Sequence, residues 1–168
     1  MLIPKETLGL AGEFAVASEL CKRGIYAQLT LANRKRTDLL VETDDSMLRV
    51  QVKSKQQREW PGVKGISGDD IILVFVDFES KELNARPDFY VLTSDDWKKV
   101  VDVRLIKSGL VKQKKVFLDT NNVPTWKDGY IGIGIRPADI QEFKDRWIKV
   151  ETCLTGRSTR IRLKRRAG

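Results

Sequence analysis

"TDLLVETDDSMLRVQVKS", Thr37 to Ser54, is the stretch whose reading decides the fold. Two runs with period-two alternation flank the turn-forming "DDS", the pattern of a β-hairpin. Alternation puts Leu39, Val41, Leu48, Val50 and Val52 on one face, which is apolar throughout and is therefore the core face. A two-residue loop at Asp44 and Asp45 pairs Asp38 with Gln51, and a register two steps different pairs it with Lys53. Either register gathers Asp38, Gln51 and Lys53 on the opposite face.

Upstream, Pro4 to Arg23 carries apolar side chains at Leu10, Phe14, Ala17, Leu20 and Cys21, a helical stripe that Gly24 can end behind Lys22 and Arg23. Glu13 falls within that stripe, so its carboxylate is expected to point at the sheet. Burial there calls for a lysine or a metal ion as compensation. Glu6, two turns earlier, is a weaker candidate for the same role. Oxygen donors from Asp38 and Gln51, joined by Glu13 directly or through water, suit Mg²⁺ or Mn²⁺ with positions left for water and phosphate. Such an ion polarises a phosphoryl group and acidifies bound water, and Lys53 would orient that water or offset the charge of the transition state. The bland alternative for Asp38 and Lys53 is a cross-strand ion pair on an exposed sheet face, which is worth about 0.2–1 kcal/mol.

The remaining chain predicts short strands at "YAQLTL", at "DFYVLT" and at "YIGIGI". It also predicts a central strand within "DDIILVFVDF", whose unbroken apolar run suits burial on both faces. Trp60 to Gly68 reads as a loop. Ser94 caps a helix presenting Trp97, Val100, Val101 and Leu105 on one side, and Pro137 opens a last helix. "GYIGIG" lacks the Lys-Ser/Thr of a phosphate loop and sits in an alternating strand pattern. Trp97, Trp126 and Trp147 read as core anchors.

With 168 residues and 41% apolar content, the chain predicts one domain over residues 1–150, followed by a basic tail or edge strand over 151–168. Two distant cysteines, Cys21 and Cys153, make neither a disulfide framework nor a zinc knuckle, and read as ordinary packing residues. The absence of histidine excludes imidazole bases and histidine metal sites. No apolar run is long enough for a bilayer and "MLIPKETLGLAGE" lacks signal-peptide character, so the expected location is soluble and cytoplasmic, with no membrane partner. Net charge is +8, and Arg157, Arg160, Arg162, Lys164, Arg165 and Arg166 supply six of those charges without an intervening acid. A polyanion is the expected partner. The loop "SKQQREWPGVKG" adds Lys55, Arg58 and Lys64 around Trp60, a pattern able to contact phosphates and stack a base.

The order Glu13, Asp38, Gln51-x-Lys53 on helix, strand and adjacent strand resembles the PD-(D/E)xK nuclease-like superfamily, the fold of many restriction endonucleases and of archaeal Holliday-junction resolvases. The framing segments "GEFAVASELCKRGI", "TDLLVE" and "LRVQVKS" are similar to the N-terminal half of the resolvase-like members, and the likeness spans roughly residues 8–93. It implies an α/β fold of three α/β/α layers, restriction endonuclease-like, around a mixed sheet of four to five strands. It further implies metal ligation by Asp38 and Gln51, an acidic contribution from Glu13, and a catalytic lysine at Lys53. Thr37 replaces the family's proline, which supplies no ligand. Gln51 replaces the usual acid, so an amide oxygen coordinates without adding charge and Mg²⁺ is held more weakly.

The resulting expectation is a Mg²⁺- or Mn²⁺-dependent endonuclease or resolvase-like enzyme acting on nucleic acid, DNA favoured. A two-fold homodimer would suit cleavage of both strands. Its rivals are a nucleic-acid-binding module on the same fold without cleavage, and a regulatory or interaction protein whose hairpin holds only structural salt bridges.

Overall fold

The computed structural model describes residues 2–30, 37–44 and 46–156. Helix α1 (Lys5–Lys22) leads into β1 (Ala27–Leu29), β2 (Leu39–Thr43), β3 (Ser46–Lys55), β4 (Trp60–Val63), β5 (Ile71–Asp77) and β6 (Asp88–Leu92). Helix α2 (Ser94–Val101) continues as a π-helical stretch, Asp102–Lys107. Three short strands follow, β7 (Val116–Leu118), β8 (Pro124–Trp126) and β9 (Ile133–Ile135), and helix α3 covers residues 148–156.

Five strands form one mixed sheet in the order β1-β2-β3-β5-β6, with β3 and β5 parallel and the other neighbours antiparallel. Each face carries its own core. On one, Leu39, Val41, Leu48, Val50 and Val52 meet Val16 and Leu20 of α1 and Val150 and Leu154 of α3. On the other, Leu73, Phe75, Tyr90 and Leu92 meet Trp97, Val100 and Leu105, together with Trp60 and Ile135 of the β4–β9 pair. The fold is thus the expected α/β arrangement of a mixed sheet between outer layers. Every residue of β5 is buried because both cores press on it.

Helix α1 ends in a Schellman motif: the Gly24 N–H donates to the Cys21 carbonyl at 2.9 Å and the Ile25 N–H to the Leu20 carbonyl at 3.1 Å. Gly24 makes this possible at φ 73°, where a β-carbon would be strained. The helix is rotated relative to the stripe expected from its sequence. Leu10 and Phe14 are exposed, and the buried line runs through Leu8, Gly12, Val16 and Leu20. The cause is Gly12, where a β-carbon would overlap Ser54 Oγ, so the helix approaches β3 closely at a position without a side chain.

Three other expectations are corrected. Trp60–Val63 is a strand, antiparallel to β9, because Trp60 plugs the second core edge-on to Phe75 (ring centroids 5.0 Å apart). Thr93, not Ser94, caps α2: its Oγ1 accepts from the Asp96 N–H at 3.2 Å while Asp96 Oδ2 accepts from the Thr93 N–H at 3.0 Å. Pro137 opens only a 3₁₀ turn, Pro137–Asp139, and a second turn, Gln141–Phe143, follows. A bridge between Lys144 and Tyr90 and a positive φ of 52° at Asp145 keep this segment out of a longer helix until residue 148. Cys21 is exposed rather than packed, whereas Cys153 is partly buried against the first core. Trp97 and Trp147 are core residues as expected, and Trp126 packs at the edge of the second core. Among the described residues no helix is long and apolar enough to cross a membrane.

Candidate active site

Strands β2 and β3 pair from Thr43 opposite Ser46 to Leu39 opposite Val50, the register of the tight-turn alternative. Continued one step, that register sets Asp38 beside Gln51. Asp38 sits just before β2 and is fixed on both sides. Its N–H donates to the Val50 carbonyl at 2.9 Å, and its carbonyl accepts from the Thr30 N–H at 3.0 Å. Its carboxylate turns toward β3, where Oδ2 accepts the Val52 N–H at 2.6 Å, leaving Oδ1 for another partner.

Gln51 and Lys53 share the face of β3 opposite Val50 and Val52, and both are half-buried. Among the described residues Lys53 forms no direct ion pair, so its ammonium is available to a ligand. Glu13, one residue beyond the Gly12 contact, is also half-buried. Burial pushes its carboxyl above the ordinary 4.5, the Asp38 carboxylate pushes the same way, and the Lys53 ammonium pulls it back. Glu13, on the helix, thus lies within electrostatic reach of both Asp38 and Lys53, which come from the two arms of the hairpin. Glu6 is exposed and stands apart.

Glu13, Asp38 and Gln51 fit a hard divalent cation by chemistry. Two carboxylates and an amide oxygen are an all-oxygen donor set, and the mutual repulsion of Glu13 and Asp38 is the kind a cation relieves. Among the described residues no three or more acidic or cysteine side chains gather in metal-binding fashion, so such a site depends on the Gln51 amide.

The cations expected near nucleic acid divide into two groups. Lys55 is 3% exposed, its Nζ bonded to Asp77 Oδ1 at 2.6 Å and Glu79 Oε2 at 2.7 Å and lying 4.9 Å from the Trp60 ring centroid. Trp60 is 1% exposed. Both belong to the core, and the reason is the strand geometry: Lys55 faces the second core beside Asp77, its partner across β5. Arg58 and Lys64 are exposed. Arg157, Arg160, Arg162, Lys164, Arg165 and Arg166 lie outside the described residues.

A cavity of about 640 Å³ is lined by Gln51 and Lys53 together with Arg49, Lys64, Asn121 and Thr125. Arg49 was foreseeable from parity alone, since it alternates with Gln51 and Lys53. The wall from the β7–β8 connection has no local signature, because it reaches the site only through the small two-stranded sheet it forms.

No family model matches the chain, and no curated protein does. Among solved structures, a bacterial homing endonuclease, I-Ssp6803I, is similar at 22% identity over 55% of this chain and 71% of that one, with a TM-score of 0.41. The site assignment therefore rests on the residues themselves.

Proposed function

We propose that the chain is a metal-dependent endonuclease of the PD-(D/E)xK type acting on nucleic acid, with DNA the favoured substrate. The observation that supports this most directly is that Glu13, carried by α1, lies within electrostatic reach of both Asp38 and Lys53 from the two arms of the hairpin. Asp38 and Gln51 would hold Mg²⁺ or Mn²⁺, with Glu13 contributing directly or through water. Bound there, the ion supplies positive charge to the phosphoryl group and lowers the pKa of water.

The chain's own groups account for the rest. Asp38 is held rigid by the Val52 N–H, so its free oxygen keeps one direction without reorganisation. Lys53 donates hydrogen bonds to the attacking water or to a non-bridging phosphate oxygen, where its charge opposes the negative charge that builds during attack. Glu13, with a carboxyl raised above its usual range, accepts a proton or a hydrogen bond from water more readily than an exposed glutamate.

Supercoiled plasmid incubated with Mg²⁺ or Mn²⁺ tests the reading: nicking that disappears in Asp38→Asn and Lys53→Ala supports it. One observation favours a second reading, a binding module without cleavage: among the described residues the site has no third acid. Tight binding of the plasmid with no nicking under either metal would establish that alternative.

A further inference from the structure

The cavity beside Lys53 is larger than a phosphate requires. Its volume, about 640 Å³, lies within the range of small-molecule pockets, about 300–1,000 Å³, which is the size class of a nucleotide and not of a duplex segment. It is also preformed. Gly65, at φ 79°, lies against the Trp97 indole so closely that a β-carbon would overlap the ring, which seats this wall on the second core.

Its lining is chemically mixed. On the β3–β4 side Lys53 and Lys64 present ammonium groups, and among the described residues neither is spent in an ion pair. The β7–β8 hairpin adds Asn121 and Thr125 to the lining, and Val123 and Ile131 supply aliphatic surface. Asp119 Oδ1 accepts the N–H groups of Asn121 and Val123, both at 2.8 Å, and so fixes that connection. The two lysines suit a phosphate, and an amide and hydroxyl among aliphatic groups suit the edge and faces of a base.

We propose that this cavity receives one unstacked nucleotide of the substrate, next to the phosphate at Lys53, so that the chain prefers nucleic acid with an unpaired nucleotide; this rests on the nuclease reading of the site. Extruding a nucleotide is least costly where it is already unpaired, which gives the preference its physical origin.

The test uses the full chain in metal-free buffer with two DNA duplexes, one carrying 2-aminopurine as a single-nucleotide bulge and one carrying it fully paired. Because no aromatic side chain lines the cavity among the described residues, entry leaves the fluorophore unstacked and bright. The expected result is a several-fold rise in emission on binding the bulge, with affinity at least about tenfold above the paired duplex. Val123→Trp, which fills the cavity, should abolish both differences while paired-duplex binding persists. Asn121→Ala, at an exposed position, should reduce the preference without touching the fold. Equal affinities with unchanged emission, or a rise that survives Val123→Trp, overturns the inference. Plasmid nicking without the emission rise would remove the pocket and leave the nuclease reading standing. The rise without nicking would keep the pocket and leave a binding protein. Failure to bind either duplex removes both.

Discussion

Asp38 and Val52 are joined across the open end of the hairpin, the carboxylate of one accepting the backbone N–H of the other at 2.6 Å. Among the described residues the ladder shows no strand pair beyond Leu39 and Val50, and this side chain takes the β3 backbone N–H two residues further on. The hairpin thereby fixes a carboxylate within electrostatic reach of Glu13. Asp38→Ala should leave the Val52 N–H unsatisfied and destabilise the fold by about 1–3 kcal/mol, whereas Asp38→Asn keeps an acceptor and costs less. Nicking should be lost in both. Urea unfolding beside the plasmid assay separates the two effects.

Glu13 sits where its charge is disfavoured by burial and by Asp38. Glu13→Gln should therefore leave the melting temperature unchanged or slightly raised, while metal-dependent nicking falls at least about tenfold. A clear loss of stability instead would mean that Glu13 is a structural partner of Lys53.

Gly12 sets the distance between α1 and β3. Gly12→Ala should cost about 1–3 kcal/mol through overlap with Ser54 Oγ. Because α1 must shift to relieve it, nicking should fall further than Gly9→Ala, where a β-carbon meets nothing. Paired thermal melts and nicking rates check this.

Lys55 offers a contrast with Lys53 only two residues away. Its 2.6 Å bond to buried Asp77 predicts that Lys55→Met destabilises the chain by about 3 kcal/mol or more, since Asp77 is left without its countercharge. Nucleic-acid affinity of the folded fraction should not change, as a filter-binding titration would show.

Glu19 governs the acid limit of stability. Arg86 grips its carboxylate through two bonds, 2.9 and 3.2 Å, and Arg23 adds a third at 2.8 Å, bringing the carboxyl down from 4.5 to about 2. A lowered folded-state value means the stabilisation is full above about 4.5 and is lost as pH falls from there toward about 2. Its size is roughly 3 kcal/mol. Chemical unfolding at successive pH values should show this decline, and Glu19→Gln should flatten it.

Much of this was legible in the chain itself, because alternation has a period of two and admits few errors. Leu39, Val41, Leu48, Val50 and Val52 face one core, and Asp38, Gln51 and Lys53 follow by parity. The helix was harder. Its apolar residues surround it widely enough that Leu10 and Phe14 looked inward, and only the close approach at Gly12 fixes which face turns to the sheet. Lys55 and Trp60 resemble a nucleic-acid loop in composition, yet a buried carboxylate at Asp77, distant in sequence, draws the lysine inward. The cavity wall from Asn121 to Thr125 depends on tertiary packing alone and leaves no periodic trace.

The most direct test of the central claim is anomalous diffraction from crystals soaked in Mn²⁺. The account predicts a peak bridged by the Asp38 carboxylate and the Gln51 amide oxygen, with Glu13 in direct or water-mediated contact, and its loss in Asp38→Asn. Manganese absent from that position in crystals where the side chains are ordered and accessible would contradict it.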